Sequence, residues 1–278
     1  MENLPERNHG IEALREHQWS SETSEHLRGV IKRAILDIFA KEVQIIGMKN
    51  LEKLPKNKTP VIVSNHSSNL DMPLIAYALG NVMNIQFAAM SPLFKSLGHR
   101  LLMEFLGADA FSPIHYAQFP KKVKEQRLLH HQDFEDIKNI SAEGNKVPWI
   151  ALHSVSLDQK MKQAGMGVAY LSQIVDRIIV PIAIEVEGKG ADMDGPVSLL
   201  QAFTDKLRIK ITIGEPVEFP KVDLAALTTL SENREALRNN DGRAKLKKAR
   251  TELRTQADAI AKNIAKLLPE EKRGFYRE

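Results

Sequence analysis

The chain has 278 residues, of which 43% are hydrophobic and 27% are charged, and its formal net charge is +4. It contains no cysteine, which excludes disulfides, thiolate catalysis and Cys-based zinc sites. No apolar run approaches the ~18 residues that a membrane-spanning helix needs, and the polar, acid-bearing residues 1–25 do not resemble a signal peptide. We therefore expect a cytoplasmic protein, either soluble or held peripherally at the inner membrane surface.

The N-terminal part of the chain divides into a tail and a helix. Residues 1–23 predict a flexible tail. From Ser24 onward, apolar residues recur at the spacing of an amphipathic helix, and the apolar stripe consists of Leu27, Val30, Ile31, Ala34, Ile35, Ile38 and Phe39. This stripe either packs on the domain core or, with the basic residues beside it, lies on a membrane surface. The sequence leaves both interpretations open, and packing on a core is the commoner use of such a stripe.

The middle of the chain alternates strand-like and helix-like segments. Predicted strands occupy residues 43–46, 61–63, 85–88, 147–152, 178–186 and 207–213, and predicted helices occupy 72–79, 92–106, 118–137 and 162–175. Because helices supply the crossovers that parallel strands require, this alternation predicts an α/β fold with a mixed, largely parallel sheet covered by helices. We assign residues 24–220 to this domain.

The composition changes beyond Pro220, where Ala, Leu, Lys, Arg and Glu dominate. We assign residues 221–278 to a C-terminal helical extension. Residues 239–242 carry a loop signal, and an amphipathic helix is predicted over residues 243–268, closed by Pro269. Its apolar stripe would pack on the domain, meet a partner chain or lie on a membrane, and the sequence does not separate these three uses.

His66 and Asp71 are the pair of residues with the clearest chemical potential. Four residues separate them. The β-branched run 61–63 predicts a strand that delivers His66 at its end, and Asp71 has the position of a helix N-cap with Pro73 in the first turn. The unperturbed pKa of histidine, ~6.5, suits a base near neutral pH, and a carboxylate can orient the ring. A capped helix that happens to follow a histidine is the alternative that spacing alone leaves open.

The segment 65–71 matches the pattern Asn-His-x-Ser-x-x-Asp, and Pro73 follows it. It resembles the first motif, HX4D, of the phospholipid/glycerol acyltransferase family, whose best-known members acylate lysophosphatidic acid. Residues 43–51, 178–184 and 207–216 are similar to the strand that leads into the family's core, to its fourth motif and to its last strand and turn. The resemblance covers residues 30–220, with uneven strength, and the first motif is its specific part.

Two further motifs depart from the family pattern. The second motif ends in an arginine thought to help hold the acceptor's phosphate, and Ser112 and Pro113 stand there instead. The third motif normally reads Pro-Glu-Gly-Thr-Arg. Residues 142–146 offer one match, with Lys146 replacing the arginine, but they read as a turn before strand 147–152. The functional position is then 153–158, beyond the end of that strand, and it lacks both Glu-Gly and arginine.

Cations elsewhere are candidates for the missing phosphate contacts. Lys121, Lys122 and Arg127 lie on a predicted helix, and Lys162 begins a segment similar to the family's lysine-glycine stretch. The alternative for all four is an exposed position on a solvated helix face. The sequence predicts no metal site, because no His-x-x-x-His pair or carboxylate cluster accompanies the histidines.

The resemblance implies an O-acyltransferase of phospholipid biosynthesis. A fatty acyl group would move from acyl-CoA or acyl carrier protein, as a donor substrate and not a cofactor, to a hydroxyl of a glycerolipid-type acceptor. His66 would be the general base, Asp71 would orient it, and Ser68 would help to position substrate. A basic surface suits anionic lipid, an acidic carrier protein or CoA phosphates, whereas 6% aromatics do not favour nucleic acid. The alternative is a catalytically weak protein that binds lipid or an acyl carrier.

Overall fold

The computed structural model describes residues 40–68, 70–80, 82–90, 111–114, 138–139, 146–154, 156, 158–189, 191, 204–225, 227 and 240–277. Eight strands lie in these parts of the chain: β1 (Ala40–Ile46), β2 (Val61–Ser64), β3 (Ile85–Met90), β4 (Phe111–Ile114), β5 (Val147–Ala151), β6 (Ile178–Glu187), β7 (Leu207–Ile213) and β8 (Val217–Glu218). The α-helices whose bounds lie within these parts are α1 (Asp71–Leu79), α2 (Gly167–Ile174) and α3 (Asn240–Leu267).

The described strands form one mixed sheet in the order β1-β7-β6-β2-β5-β3-β4, and β8 pairs with β6. The pairs from β6 through β4 are parallel, as is the pair of β1 with β7. Only β7 and β8 run antiparallel to β6 among these pairings. The predicted mixed, largely parallel α/β sheet is therefore confirmed.

Strand β2 lies at the centre of the sheet because both of its faces are apolar. Its four residues are fully buried, between β6 on one side and β5 on the other. Ile62 faces a core that contains Leu74 and Ile75 of α1. Val61 and Val63 face a second core on the opposite side of the sheet, to which α2 and α3 contribute. Each fully buried side chain of this size stabilises the fold by about 1.5–3 kcal/mol.

Helix α3 covers one face of the sheet. Its apolar stripe, which includes Leu253, Ala257, Ile260 and Ile264, is buried in the second core. Of the three uses that the sequence left open for this stripe, packing on the domain is the one observed. The chain beyond α3 forms two 3₁₀ turns, at Glu270–Lys272 and Gly274–Tyr276.

Several element boundaries differ from prediction. The helix predicted over 162–175 begins only at Gly167, because Gly165 and Gly167 weaken the helix before that point. Asn240, Asp241 and Gly242, predicted as loop, are the first turn of α3, where Asp241 meets the favourable end of the helix dipole. The short strands β4 and β8 were not predicted.

Some predictions fall on residues that the structure does not describe. These are the N-terminal tail, the helix from Ser24 and the helices over 92–106 and 118–137. The division into tail, α/β domain and C-terminal extension stays a prediction. Across the described part of the chain, no helix is long and apolar enough to cross a membrane.

Candidate functional site

Asn65 directly follows the buried strand β2, and its hydrogen bonds fix the start of the next loop. Its side-chain amide donates to the Ile184 carbonyl at 2.9 Å, and its side-chain oxygen accepts the Ile184 N–H at 2.8 Å. Both bonds continue the pairing of β2 with β6 beyond the last strand residue, Ser64. The side chain of Asn65 is buried, so its amide substitutes for a backbone pair. The loop leaves the sheet at a defined point, with His66 next in the chain.

Asp71 receives a converging set of donors from the same loop. Its Oδ2 accepts the backbone N–H of Ser67 at 2.9 Å and that of Ser68 at 3.3 Å, and its Oδ1 accepts the Ser67 hydroxyl at 3.3 Å. The Asp71 side chain has 0% exposure. We predicted an N-cap here, but Asp71 is the first residue of α1 and Leu70 holds the cap position without a side-chain bond. The carboxylate points toward the loop because the loop offers it three hydrogen-bond donors.

His66 completes this arrangement. Its Nδ1 lies 2.7 Å from Asp71 Oδ2. Because a carboxylate can only accept, Nδ1 carries the hydrogen and Nε2 keeps its lone pair. The ring is 20% exposed and stands edge-on to Trp149, at 6.5 Å between ring centroids. Trp149 donates its indole N–H to the Ser64 hydroxyl at 3.1 Å, which anchors it below the histidine.

The segment after β5 lies beside the His66 loop. Ser64 and Ala151 are register partners, and Leu152 donates its N–H to the Ser64 carbonyl at 2.8 Å. Ser156 then donates its N–H to the His66 carbonyl at 2.9 Å. His153 lies between these two links, with its Nδ1 2.8 Å from the Ser154 carbonyl. His153 and Ser156 therefore lie beside the His66 loop at the carboxyl ends of neighbouring parallel strands, where α/β sheets place their ligands.

Burial lowers the pKa of the His153 imidazole, and the nearby charges of His66 and Lys162 lower it further, while the Ser154 carbonyl and Asp71 oppose them. Asp158 differs, since it is exposed and the Ser156 hydroxyl lowers its pKa by donating to Oδ1 at 2.6 Å. The site thus places a second histidine close to His66, and the lowered pKa of this histidine favours its neutral form.

The structure brings some of the predicted site residues together and not others. His66 and Asp71 are in hydrogen-bond contact. Ser68 is buried, and its hydroxyl accepts the Leu70 N–H at 2.9 Å, so it stabilises the turn into α1. Lys162 is exposed and lies near His153. Lys121, Lys122 and Arg127 lie outside the described residues.

Sequence reasoning gave no role to Asn65, Ser67 or His153. Asn65 and Ser67 sit inside the recognised motif, so a signal was present, but their partners are known only once β6 and the loop are folded. His153 heads the segment expected beyond the fifth strand, and the sheet order alone shows that it neighbours His66. Within the described residues, no three His, Cys, Asp or Glu side chains could jointly hold a metal ion.

The arrangement suits proton transfer. A histidine with one nitrogen held by a buried carboxylate, and with a lone pair on the other, can accept a proton from a hydroxyl group while the carboxylate stabilises the imidazolium. Neither His66 nor Asp71 is a nucleophile of the serine or cysteine type.

Similarity to known proteins is found at the level of the family and of the fold. A family model described as Acyltransferase matches residues 45–185, half of the chain. The crystal structure of the 1-acyl-sn-glycerophosphate (LPA) acyltransferase PlsC from Thermotoga maritima is similar, with a TM-score of 0.51 and 15% sequence identity. The match covers 93% of this chain and 87% of that one, and it shows a shared fold. No curated protein matches the sequence.

Proposed function

This chain belongs to the acyltransferase family, and on that premise we propose that it transfers a fatty acyl group from a thioester to a hydroxyl of a glycerolipid-type acceptor. The observation that carries this proposal is the 2.7 Å contact between His66 Nδ1 and the buried Asp71 carboxylate. The similar protein from Thermotoga maritima acts on 1-acyl-sn-glycerophosphate, which supports a glycerolipid as the acceptor class. The reaction belongs to phospholipid biosynthesis.

His66 is the general base of the proposed reaction. Its Nε2 takes the proton from the acceptor hydroxyl while the oxygen attacks the carbonyl carbon of the thioester. The tetrahedral intermediate then expels the thiolate, which receives the same proton from His66 and leaves as a thiol. The products are an ester and a free thiol, and no covalent enzyme intermediate forms. The ring stays in place during both transfers because Asp71 holds Nδ1.

Asp71 acts through His66. The two backbone N–H groups of Ser67 and Ser68 fix the carboxylate, so the imidazole is held in one tautomer and one orientation. The positive charge that develops on the His66 ring is stabilised by the Asp71 carboxylate. This carboxylate lies 2.7 Å from Nδ1 and is already buried. Such preorganisation lowers the barrier because no solvent has to reorient when the charge appears.

The donor in this proposal is acyl-CoA or acyl carrier protein, which enters as a substrate. The basic net charge of the chain, +4, favours an anionic partner of either kind and a peripheral position on anionic lipid. Lys162, which is exposed and near His153, is the described cation that we assign to a phosphate of either substrate.

The test is acyl transfer from oleoyl-CoA to a panel of lysophosphatidic acid, other lysophospholipids, glycerol 3-phosphate and neutral alcohols, with products identified by mass spectrometry. His66→Ala is expected to lower the rate by ~10²–10⁴-fold. Lys247→Gln, on the exposed face of α3, is the matched control and keeps the full rate. Normal turnover by His66→Ala would refute the mechanism.

The same assay separates the alternatives. No product with either oleoyl-CoA or oleoyl acyl carrier protein, together with measurable lipid binding, would show a binding protein on this fold. Free oleate released without any acceptor would show that His66 activates water, which is hydrolysis.

A further inference from the structure

The pairing of β2 with β5 in the sheet places His153 next to His66. Ser64 of β2 and Ala151 of β5 are register partners in neighbouring parallel strands, and each histidine follows its partner by two residues. Adjacent strands lie ~4.8 Å apart. The Ser156 N–H, donated to the His66 carbonyl at 2.9 Å, keeps the two loops together beyond the strand ends. The two imidazoles therefore belong to one site.

The hydrogen bonds of His153 fix which of its nitrogens is free. Nδ1 lies 2.8 Å from the Ser154 carbonyl, which can only accept, so Nδ1 carries the hydrogen. The lone pair is then on Nε2. This atom is buried and has no hydrogen-bond partner among the residues that the structure describes. A buried acceptor without a donor is unfavourable, and native sites pair such atoms with protein, water or ligand.

We propose that His153 determines acceptor specificity: its Nε2 accepts a hydrogen bond from a second hydroxyl of the acyl acceptor, so that the site selects a diol. This inference rests on the proposed function, since the first hydroxyl is the one that His66 deprotonates. The partner of a neutral imidazole nitrogen must be a donor, and a phosphate oxyanion offers only lone pairs. The acyl acceptor carries such donors, and a hydroxyl on the carbon next to the reacting one is the donor that this proposal assigns to Nε2.

The surroundings keep His153 in the form that this role needs. Burial lowers its pKa, and the positive charge of Lys162 acts in the same direction. A protonated ring would donate from both nitrogens and would attract an anion instead. The segment that carries His153 is also where this chain lacks the Glu-Gly and arginine of the family's third motif. His153, which stands in this segment, is suited in its neutral form to bind an uncharged group of the substrate.

The test compares three acceptors that differ only in their hydroxyls. They are 1-oleoylglycerol, which has two free hydroxyls, and the mono-oleoyl esters of propane-1,2-diol and propane-1,3-diol, which have one each. With wild-type protein and oleoyl-CoA, kcat/KM for 1-oleoylglycerol is expected to exceed that for the better single-hydroxyl acceptor by roughly 10- to 100-fold, because the analogues leave Nε2 unpaired.

Two variants connect this preference to His153. His153→Leu should remove the preference, because it lowers kcat/KM for 1-oleoylglycerol about 10- to 100-fold more than it lowers kcat/KM for the other two acceptors. His153→Gln, whose side-chain oxygen can also accept, should restore part of the preference. An equal loss for all three acceptors would mean that His153 bonds the donor or supports the fold, and no loss would mean that a water occupies Nε2. Both results would overturn the proposal.

A binding measurement decides the case in which wild-type protein acylates none of the three. Protein labelled with ¹⁵N-histidine is titrated with 1-oleoylglycerol in detergent micelles, without an acyl donor, and the His153 signals are assigned by their loss in His153→Leu. A shift of the Nε2 resonance with 1-oleoylglycerol, and not with the propanediol esters, supports diol recognition even if acyl transfer fails. An unchanged resonance rejects it.

Discussion

The carboxylate of Asp71 shows how the first motif works at the scale of single residues. A buried, isolated charge is costly, and this one has 0% exposure. It is tolerated because Ser67 and Ser68 aim their N–H groups at Oδ2, and the His66 Nδ1–H completes the set. The close spacing of the motif is what allows this: His66, Ser67 and Ser68 lie near enough to Asp71 in the chain to point three donors at one oxygen.

Asp71→Asn should abolish most of the activity and leave the fold intact. An asparagine has the same shape, and its side-chain oxygen takes the place of Oδ2, because the Ser67 and Ser68 N–H groups and His66 Nδ1 all point there. The amide is neutral, so it no longer stabilises the imidazolium that forms when His66 accepts the proton. We expect a rate loss of ~10²–10⁴-fold, measured as kcat beside a thermal melt. Asp71→Ala, which leaves buried donors unpaired, should also lower stability by about 1–3 kcal/mol. A fully active Asp71→Asn protein would exclude the assigned role of the carboxylate.

His153 should titrate below the ordinary histidine value of 6.5, because burial lowers its pKa and the charges of His66 and Lys162 add to this against Asp71 and the Ser154 carbonyl. The unfolded chain then binds a proton at a higher pH than the folded one. The stability due to neutral His153 is present above about pH 6.5 and is lost as pH falls toward the lowered pKa. A ¹⁵N-histidine NMR titration measures the midpoint, and His153→Leu should flatten the decline of unfolding free energy with falling pH. A midpoint above 6.5 would contradict this.

At the scale of secondary structure, Asn65 explains how the strand and the site are joined. A strand that ended one residue earlier or later would place His66 on the wrong side of the sheet, because side chains alternate between faces. The paired bonds of the Asn65 amide with Ile184 define this end point. Asn65 thus fixes the register between the end of β2 and β6. This role requires no contact between Asn65 and the reacting groups.

Asn65→Leu is expected to lower the free energy of unfolding by about 2–4 kcal/mol, because the buried N–H and carbonyl of Ile184 would both lose their partner. Urea denaturation measures the change. Asn263→Ala is the matched control, since its amide donates only to the Ala259 carbonyl one helical turn earlier; this change should stay within about 0.5 kcal/mol. Equal changes in unfolding free energy for the two substitutions would show that the hydrogen bonds between Asn65 and Ile184 of β6 contribute no more to stability than an ordinary side-chain hydrogen bond.

The sequence predicted those strands whose residues are continuously apolar or β-branched, such as β2 and β6. It did not predict β4, because Pro113 interrupts the run, and proline in a sheet is tolerated at an edge strand such as β4. The spacing of His66 and Asp71 was readable because both partners lie in one local motif. The proximity of His153 was not, because it depends on β5 lying next to β2, a non-local pairing that no local pattern encodes.

At the scale of the whole molecule, the C-terminal segment reaches back to the loop that adjoins the site. Met161 donates to the Lys272 carbonyl at 3.0 Å and accepts the Phe275 N–H at 2.9 Å. Gly274 permits this approach, since it has a φ of 51° and a Cβ there would lie 2.2 Å from the Met161 carbonyl oxygen. The segment after α3 thereby holds the loop over 158–166, which follows the His153 segment in the chain.

Tyr276 is the residue through which this attachment can be tested. Its hydroxyl donates to Asp258 at 2.7 Å and accepts the Ala164 N–H at 2.9 Å. Burial raises the pKa of Tyr276 to about 12, and the Asp258 carboxylate acts in the same direction. The folded protein therefore keeps the phenol proton above the ordinary tyrosine value of about 10, at pH values where the unfolded chain has lost it.

Stability should consequently fall as pH rises from about 10 toward 12, since the folded state binds more protons there than the unfolded state. Tyr276→Phe should cost about 1–2 kcal/mol at pH 8, because the Ala164 N–H loses its acceptor, and the gap between the two proteins should narrow as the pH is raised. Urea denaturation at pH 8, 9.5 and 10.5 measures both effects, and the lysines, which titrate in the same range, cancel because both proteins contain them. A gap that stays constant with pH would show that the fold does not hold the Tyr276 hydroxyl in its protonated form.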